Sequence, residues 1–423
     1  VTFVAEILHL SLDNDPVANQ LPPAHSSEWE DDNEPMRVEF AKEAERKPSS
    51  VFGQVNPRLP LLALAILALL AALWGGLLRV GWAFPPVIQI LPAVHGPLMI
   101  TGFLGTLISL ERAVALQKRW AYAAPVLNAL GIIALVINVE DHFGILVATL
   151  GSIVLLVVFG VILNRQFAVF TGTMALGVVV WVLGNLLWLG DSLISHVTHW
   201  WAGFLILTIV GERLELSRIQ RLPQRTTTIY AIAIGIFLLG LAIDATEGLV
   251  RADSDIGAKI IGLGMLAIAV WLVRYDIARR TVRQQGLTRF IAFCLLWGYG
   301  WLGVSGILRM IYGGVSGGFF YDAILHTLFL GFVMSMIFGH APIIFPSILG
   351  RSLNYRPVFY AHLILLHLSL VLRVVGDFAL TMPLRQWGAM FNVIAILLFL
   401  FTTVSTIVFG LRSSRGSKNA QAS

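Results

Sequence analysis

From residue 58 onward the chain alternates long apolar runs with short breaks that carry charge, Pro or Gly. A bilayer core about 30 Å thick takes roughly 20 residues of helix to cross. The runs predict twelve spans, over 58–80, 92–115, 121–138, 143–163, 167–188, 196–215, 228–247, 256–278, 289–312, 322–345, 356–376 and 387–411. The expected fold class is therefore all-α, a polytopic membrane protein of about twelve transmembrane helices occupying 58–411.

Three of the spans resemble one another. Span 2 reads HGPLMITGFLGTLISLERAVAL from His95, span 6 reads HVTHWWAGFLILTIVGERLELSR from His196, and span 10 reads HTLFLGFVMSMIFGHAPIIF from His326. When Gly102-Phe103, Gly203-Phe204 and Gly331-Phe332 are superposed, Glu111, Glu212 and His340 fall at one position, nine residues after the glycine. Similar helices at four-span intervals suggest three four-helix units around a pseudo-threefold axis. The offset of His326, five residues before its glycine rather than seven, turns it about 200° from the His95 direction at 100° per residue of α-helix.

Composition agrees with the pattern: 57% of residues are hydrophobic and 13% charged, where soluble proteins carry about 25% charge. The formal charge of +5 hides two unlike regions. Residues 1–57 hold eleven acids and four bases, with an EWEDDNEP run too polar to offset ordering entropy. They are expected to form a disordered cytoplasmic tail, or an arm that docks a redox partner or a larger membrane complex. Residues 412–423 are expected to be a second tail. Lys and Arg concentrate in the connections after even-numbered spans, among them Arg119, Arg165, Arg221, Arg280 and Arg356. That bias predicts cytoplasmic termini, in a bacterial inner membrane. Nothing in the composition points to nucleic acid, and the bilayer is the expected partner. Cys294 alone permits no disulfide within the chain.

Seven histidines lie in or at the edges of spans 2, 6, 10 and 11. An ionisable group inside a bilayer points to function by default, and neutral imidazole ligates haem iron or copper. Each taken singly also suits hydrogen bonding at a helix end. His95 and His326 share the outer depth and are placed to clamp one haem, with Arg309 and Arg373 as partners for its carboxylates or as snorkelling interfacial groups. His196 and His199, three residues apart, are placed to share a small metal ion such as copper. His340 and His362, with His367 deeper, form a third set for a second haem or metal. No c-type haem attachment motif is present, so the haem expected is b-type. Glu111-Arg112 and Glu212-Arg213 read best as ion pairs that end their helices and pin topology, with proton uptake as the other reading. Pro342 and Pro346 are expected to break span 10. Trp82, Trp120, Trp200, Trp201 and Trp387 are expected to form an interfacial belt, and Met99, Met334 and Met336 to pack.

With its histidines on spans 2, 6 and 10, the chain resembles the catalytic subunit of haem-copper oxidases. In its length, and in HGPLMITGFLGTLISLERAVAL and LHTLFLGFVMSMIFGHAPIIFP, it is more similar to NnrS-type membrane proteins. The first resemblance implies a low-spin haem on His95 and His326 and copper on His196 or His199; the second implies a role in nitric-oxide handling. Span 7 lacks the oxidase histidine pair, which argues against oxygen reduction. The function expected is that of a haem-binding, copper-binding membrane redox protein, in nitric-oxide handling or respiratory electron transfer. A proton-coupled transporter, or a non-catalytic subunit of an energy-transducing complex, is the alternative.

Overall fold

The computed structural model describes residues 58–139, 142–190, 192–217, 223–250, 254–349 and 355–420. The acidic segment 1–57 lies outside them. Twelve helices in this region are long and apolar enough to span a bilayer. They are α1 (Arg58–Arg79), α2 (His95–Leu116), α3 (Arg119–Val136), α4 (Phe143–Arg165), α5 (Val169–Leu189) and α6 (Ile194–Leu216). There follow α7 (Gln224–Val250), α8 (Ile256–Tyr275), α9 (Gly286–Tyr312), α10 (Gly318–Leu349), α11 (Phe359–Phe378) and α12 (Met382–Ala420). Each matches one predicted span; α12 continues into the segment expected to be a tail. No strand occurs among the described residues, and the protein is an all-α polytopic membrane protein.

Burial sorts the helices. The apolar windows of α6 and α10 are 78% and 72% buried, against 39% for α1 and α7, so α6 and α10 lie inside and the others turn more surface outward. Exposed leucines, isoleucines and valines such as Leu67, Leu150, Val270 and Leu368 supply the lipid-facing side. Successive helices pack on one another, α12 packs on α1, and α10 touches both α2 and α6.

Helices α2 and α10 each contain a wide π-helical turn, Leu98–Gly105 and Thr327–Met334, around the Gly-Phe pair that aligned them. The wider turn bonds i to i+5, so an extrapolation at 100° per residue fails across it. His95 and His326, which both precede the turn, line one cavity despite their two-residue offset. In α2 the Thr106 hydroxyl donates to Thr101 O, 3.3 Å away, giving that carbonyl a partner within the turn. In α10 the backbone of Gly331 sits against Trp301 of α9; a Cβ there would fall 2.5 Å from Trp301 Cβ. No rotamer of Trp301 relieves a contact with its own Cβ. Gly331→Ala is expected to cost about 1–3 kcal/mol, seen as a lower thermal midpoint in detergent.

Three expectations are corrected. The last stretch of α10 stays helical over Ser335–Leu349, straight through Pro342 and Pro346. Each proline removes one ladder bond, and the helix interior tolerates that in a membrane protein. Trp200 and Trp201 leave the interfacial belt for the core: Trp201 is fully buried, donates to Asn185 Oδ1 at 2.8 Å and meets Trp188 edge-on. Glu111-Arg112 and Glu212-Arg213 do not end their helices, which continue to Leu116 and Leu216. Their arginines pair across the bundle instead, Arg112 with Glu212 and Arg213 with Asp276.

Candidate functional site

A cavity of about 300 Å³ opens between α1, α2, α6, α10, α11 and α12 at the end where α2 begins. Its volume is at the lower end of the range for cofactor and ligand sites. Leu73, Ile100, Leu104, Phe329 and Leu330 give it apolar walls, and Met99 and Met334 also line it. His95 and His326 enter it from two helices.

Both imidazoles are oriented by the backbone. His95 Nδ1 lies 2.7 Å from Ala72 O, and His326 Nδ1 lies 2.9 Å from Asp322 O. A carbonyl only accepts, so Nδ1 carries the hydrogen in each ring and Nε2 keeps its lone pair. Neither Nε2 has a hydrogen-bond partner among the described residues. Gly76 makes room for the His95 ring: a Cβ at that position would stand 2.9 Å from its Cε1.

Charge at the cavity is organised around Asp322 of α10. Arg373 of α11 donates to it twice, at 2.7 and 2.9 Å, and Arg385 of α12 reaches it at 2.9 Å. Arg385 also contacts Asp377 at 3.2 Å, and His326 Nδ1 is 3.3 Å from Asp322 Oδ1. The arginines converge because α11 and α12 run nearly in backbone contact, where a Cβ on Gly388 would fall 2.5 Å from Arg373 N. Arg79 of α1 joins the same wall and donates to Pro92 O at 3.3 Å. Three arginines against Asp322 and Asp377 leave this end of the cavity net positive.

The remaining predicted residues go elsewhere. Arg309 does not line the cavity; it is buried 4.0 Å from Asp244 of α7. His199 Nε2 contacts the same Asp244 at 2.6 Å, off the line of a good N–H donor, whereas His196 is exposed. His340 lies at the other end of α10 with Nδ1 3.0 Å from Met336 O. His362 sits in a cage of Phe290, Phe338, Phe359 and Phe399, with Nδ1 3.3 Å from the Thr402 hydroxyl. His367 accepts from Trp301 Nε1 at 3.0 Å and stacks on Trp297. Thus His340, His362 and His367 each have separate surroundings. Among the described residues no three His, Cys, Asp or Glu side chains are grouped so as to hold a metal ion.

Replacing His362 by Leu tests its packing role. Its Nε2 is buried without a partner, and Thr402 keeps a bond to Phe399 O at 3.0 Å. His362→Leu is expected to change stability by no more than about 1 kcal/mol, with the thermal midpoint in detergent close to that of the parent protein.

Sequence reasoning missed Asp322, Arg385, Arg79 and Asp244. The signal was present, since Asp322 is the one acid in span 10 and Asp244 the more deeply placed of the two acids in span 7. A charge kept inside a bilayer needs a buried partner.

A family model matches residues 58–408, the whole twelve-helix region. The chain belongs to the DUF8744 family. That family is described as a domain of unknown function. No curated protein matches the chain.

Proposed function

We propose that this DUF8744 protein is a haem-binding membrane redox protein, in which His95 and His326 would hold the haem iron. The observation that carries this reading is the pair of imidazoles, each held through Nδ1 by a backbone carbonyl, each with Nε2 unpaired, on the walls of one apolar cavity. Ligating histidines are usually oriented through their second ring nitrogen in this way. The donor set fits the group: two neutral imidazoles for iron, apolar walls for the macrocycle, and a cationic rim of Arg79, Arg373 and Arg385 for its carboxylates. Asp322 fixes Arg373 and Arg385 in place, and Arg79, held only by a carbonyl, is freest to meet a carboxylate.

When bound, haem would supply one-electron transfer. Ligation by two imidazoles would favour electron transfer over binding of nitric oxide, so the narrower NnrS-like role rests on sequence resemblance alone. Copper has no grouped ligand set among the described residues and does not enter the proposal. The positive bias of the even-side connections supports a bacterial inner membrane with both termini cytoplasmic.

The test is an optical spectrum of purified protein expressed with adequate haem supply, with pyridine haemochrome analysis. A Soret band and a reduced-minus-oxidised difference of b-type haem are expected. Colourless protein, folded and monodisperse, would reject the reading.

A further inference from the structure

A second cavity, about 80 Å³, lies toward the other end of α2, α6 and α10. Glu111, Glu212 and His340, the three residues at equivalent positions of the sequence repeat, all line it. Arg112 pairs with Glu212 and stands 3.5 Å from Glu111, with its guanidinium over the Phe159 ring. His340 Nδ1 is committed to Met336 O, so its Nε2 is an acceptor, 4.0 Å from Glu212 Oε2. Thr208, 2% exposed, lines the cavity with a hydroxyl that has no partner. This volume has room for water, and these groups supply the polar partners that water requires.

Among the described residues the charges at this cavity do not balance. Arg213, the other cation nearby, is taken by Asp276 through bonds of 2.9 and 3.3 Å, with Tyr299 of α9 beside that pair. Glu215 of α6 adds a further acid near Glu212. Arg112 is therefore left to serve both Glu111 and Glu212. A half-buried carboxylate without a counter-charge is costly inside a bilayer, and protonation removes the cost.

We infer that Glu111, Glu212 and His340 form a proton-binding site, holding one exchangeable proton that the carboxylates and the imidazole share through water. Loading is proton transfer alone: an oxygen or nitrogen lone pair takes H⁺ from hydronium and leaves water, and nothing is oxidised or reduced. Leu104 and Val333 line both cavities, so an apolar wall separates this site from His95 and His326. The inference does not depend on haem.

The experiment is infrared spectroscopy of the full chain in detergent, titrated in H₂O and D₂O. A carboxylate in water is ionised at neutral pH and gives no such band. Expected is a protonated-carboxyl C=O stretch at neutral pH that shifts in D₂O, is lost or reduced in Glu212→Gln and Glu111→Gln, and moves in Glu212→Asp. Glutamine at 212 keeps an acceptor for Arg112, which favours folding. Asp377→Asn, a change in the other network, should leave this band in place, and His340→Gln should shift its titration midpoint. A band unchanged in both glutamine variants and in Glu212→Asp, or no band at neutral pH, overturns the proposal. So does a band that disappears on adding sodium or potassium at fixed pH, which would make this a metal-cation site.

Discussion

His95→Ala and His326→Ala are each expected to abolish the Soret band of the purified protein, while His142→Ala, outside both cavities, leaves it unchanged. The effect should be near total, because an imidazole that would hold the haem is lost and the space it leaves is apolar. The variants should still fold. Each ring makes a single backbone hydrogen bond, worth about 1 kcal/mol, and neither helix is built on it. Unchanged detergent stability together with lost colour is the pattern that assigns ligation. A partial band surviving in both variants would move the ligands elsewhere. Arg79→Gln, which removes a cation from the rim, is expected to keep the band and lower the midpoint potential by something on the order of tens of millivolts, measurable by redox titration.

The largest effect on stability is expected from Asp322→Asn. Asp322 receives two buried hydrogen bonds from Arg373, forms an ion pair with the partly buried Arg385, and stands 3.3 Å from His326 Nδ1. Loss of its charge leaves the buried Arg373 and the partly buried Arg385 facing Asp377 alone. Breaking a buried pair by removing one partner costs about 3–5 kcal/mol, and the same change releases the arginines that line the cavity. Denaturation in detergent should show the loss, and Asp322→Asn combined with Arg373→Gln should recover part of it, since the uncompensated charge is removed. Full additivity of the two single changes would mean that the pair is not coupled.

The twelve spans were legible because a bilayer demands about 20 apolar residues from each helix, a requirement written into sequence without reference to neighbours. The grouping of α2, α6 and α10 was legible too, through the Gly-Phe pairs and the residue nine positions later; Glu111, Glu212 and His340 do meet at one cavity. Depth along a span could be read from sequence, and it placed His95, His326 and Arg373 together. Depth without direction around the helix is what misplaced Arg309, which has the right level but faces Asp244. The same limit kept His340 from His362: the two are near in depth, yet one faces Glu212 and the other a cage of phenylalanines. Arg112 and Arg213 were hidden by their company, because arginines that serve topology and arginines that pair inside look alike in a sequence. The π-helical turns left no mark that an ideal-helix wheel could register.

The wall common to the two cavities has a bearing on the bilayer itself. Leu104 and Val333 are almost wholly enclosed, and each presents one aliphatic side chain to a chamber on either side. Insulation along the middle of the bundle thus leans on a few methyl groups rather than on a thick hydrocarbon plug, and shaving them to alanine would merge the chambers into one corridor.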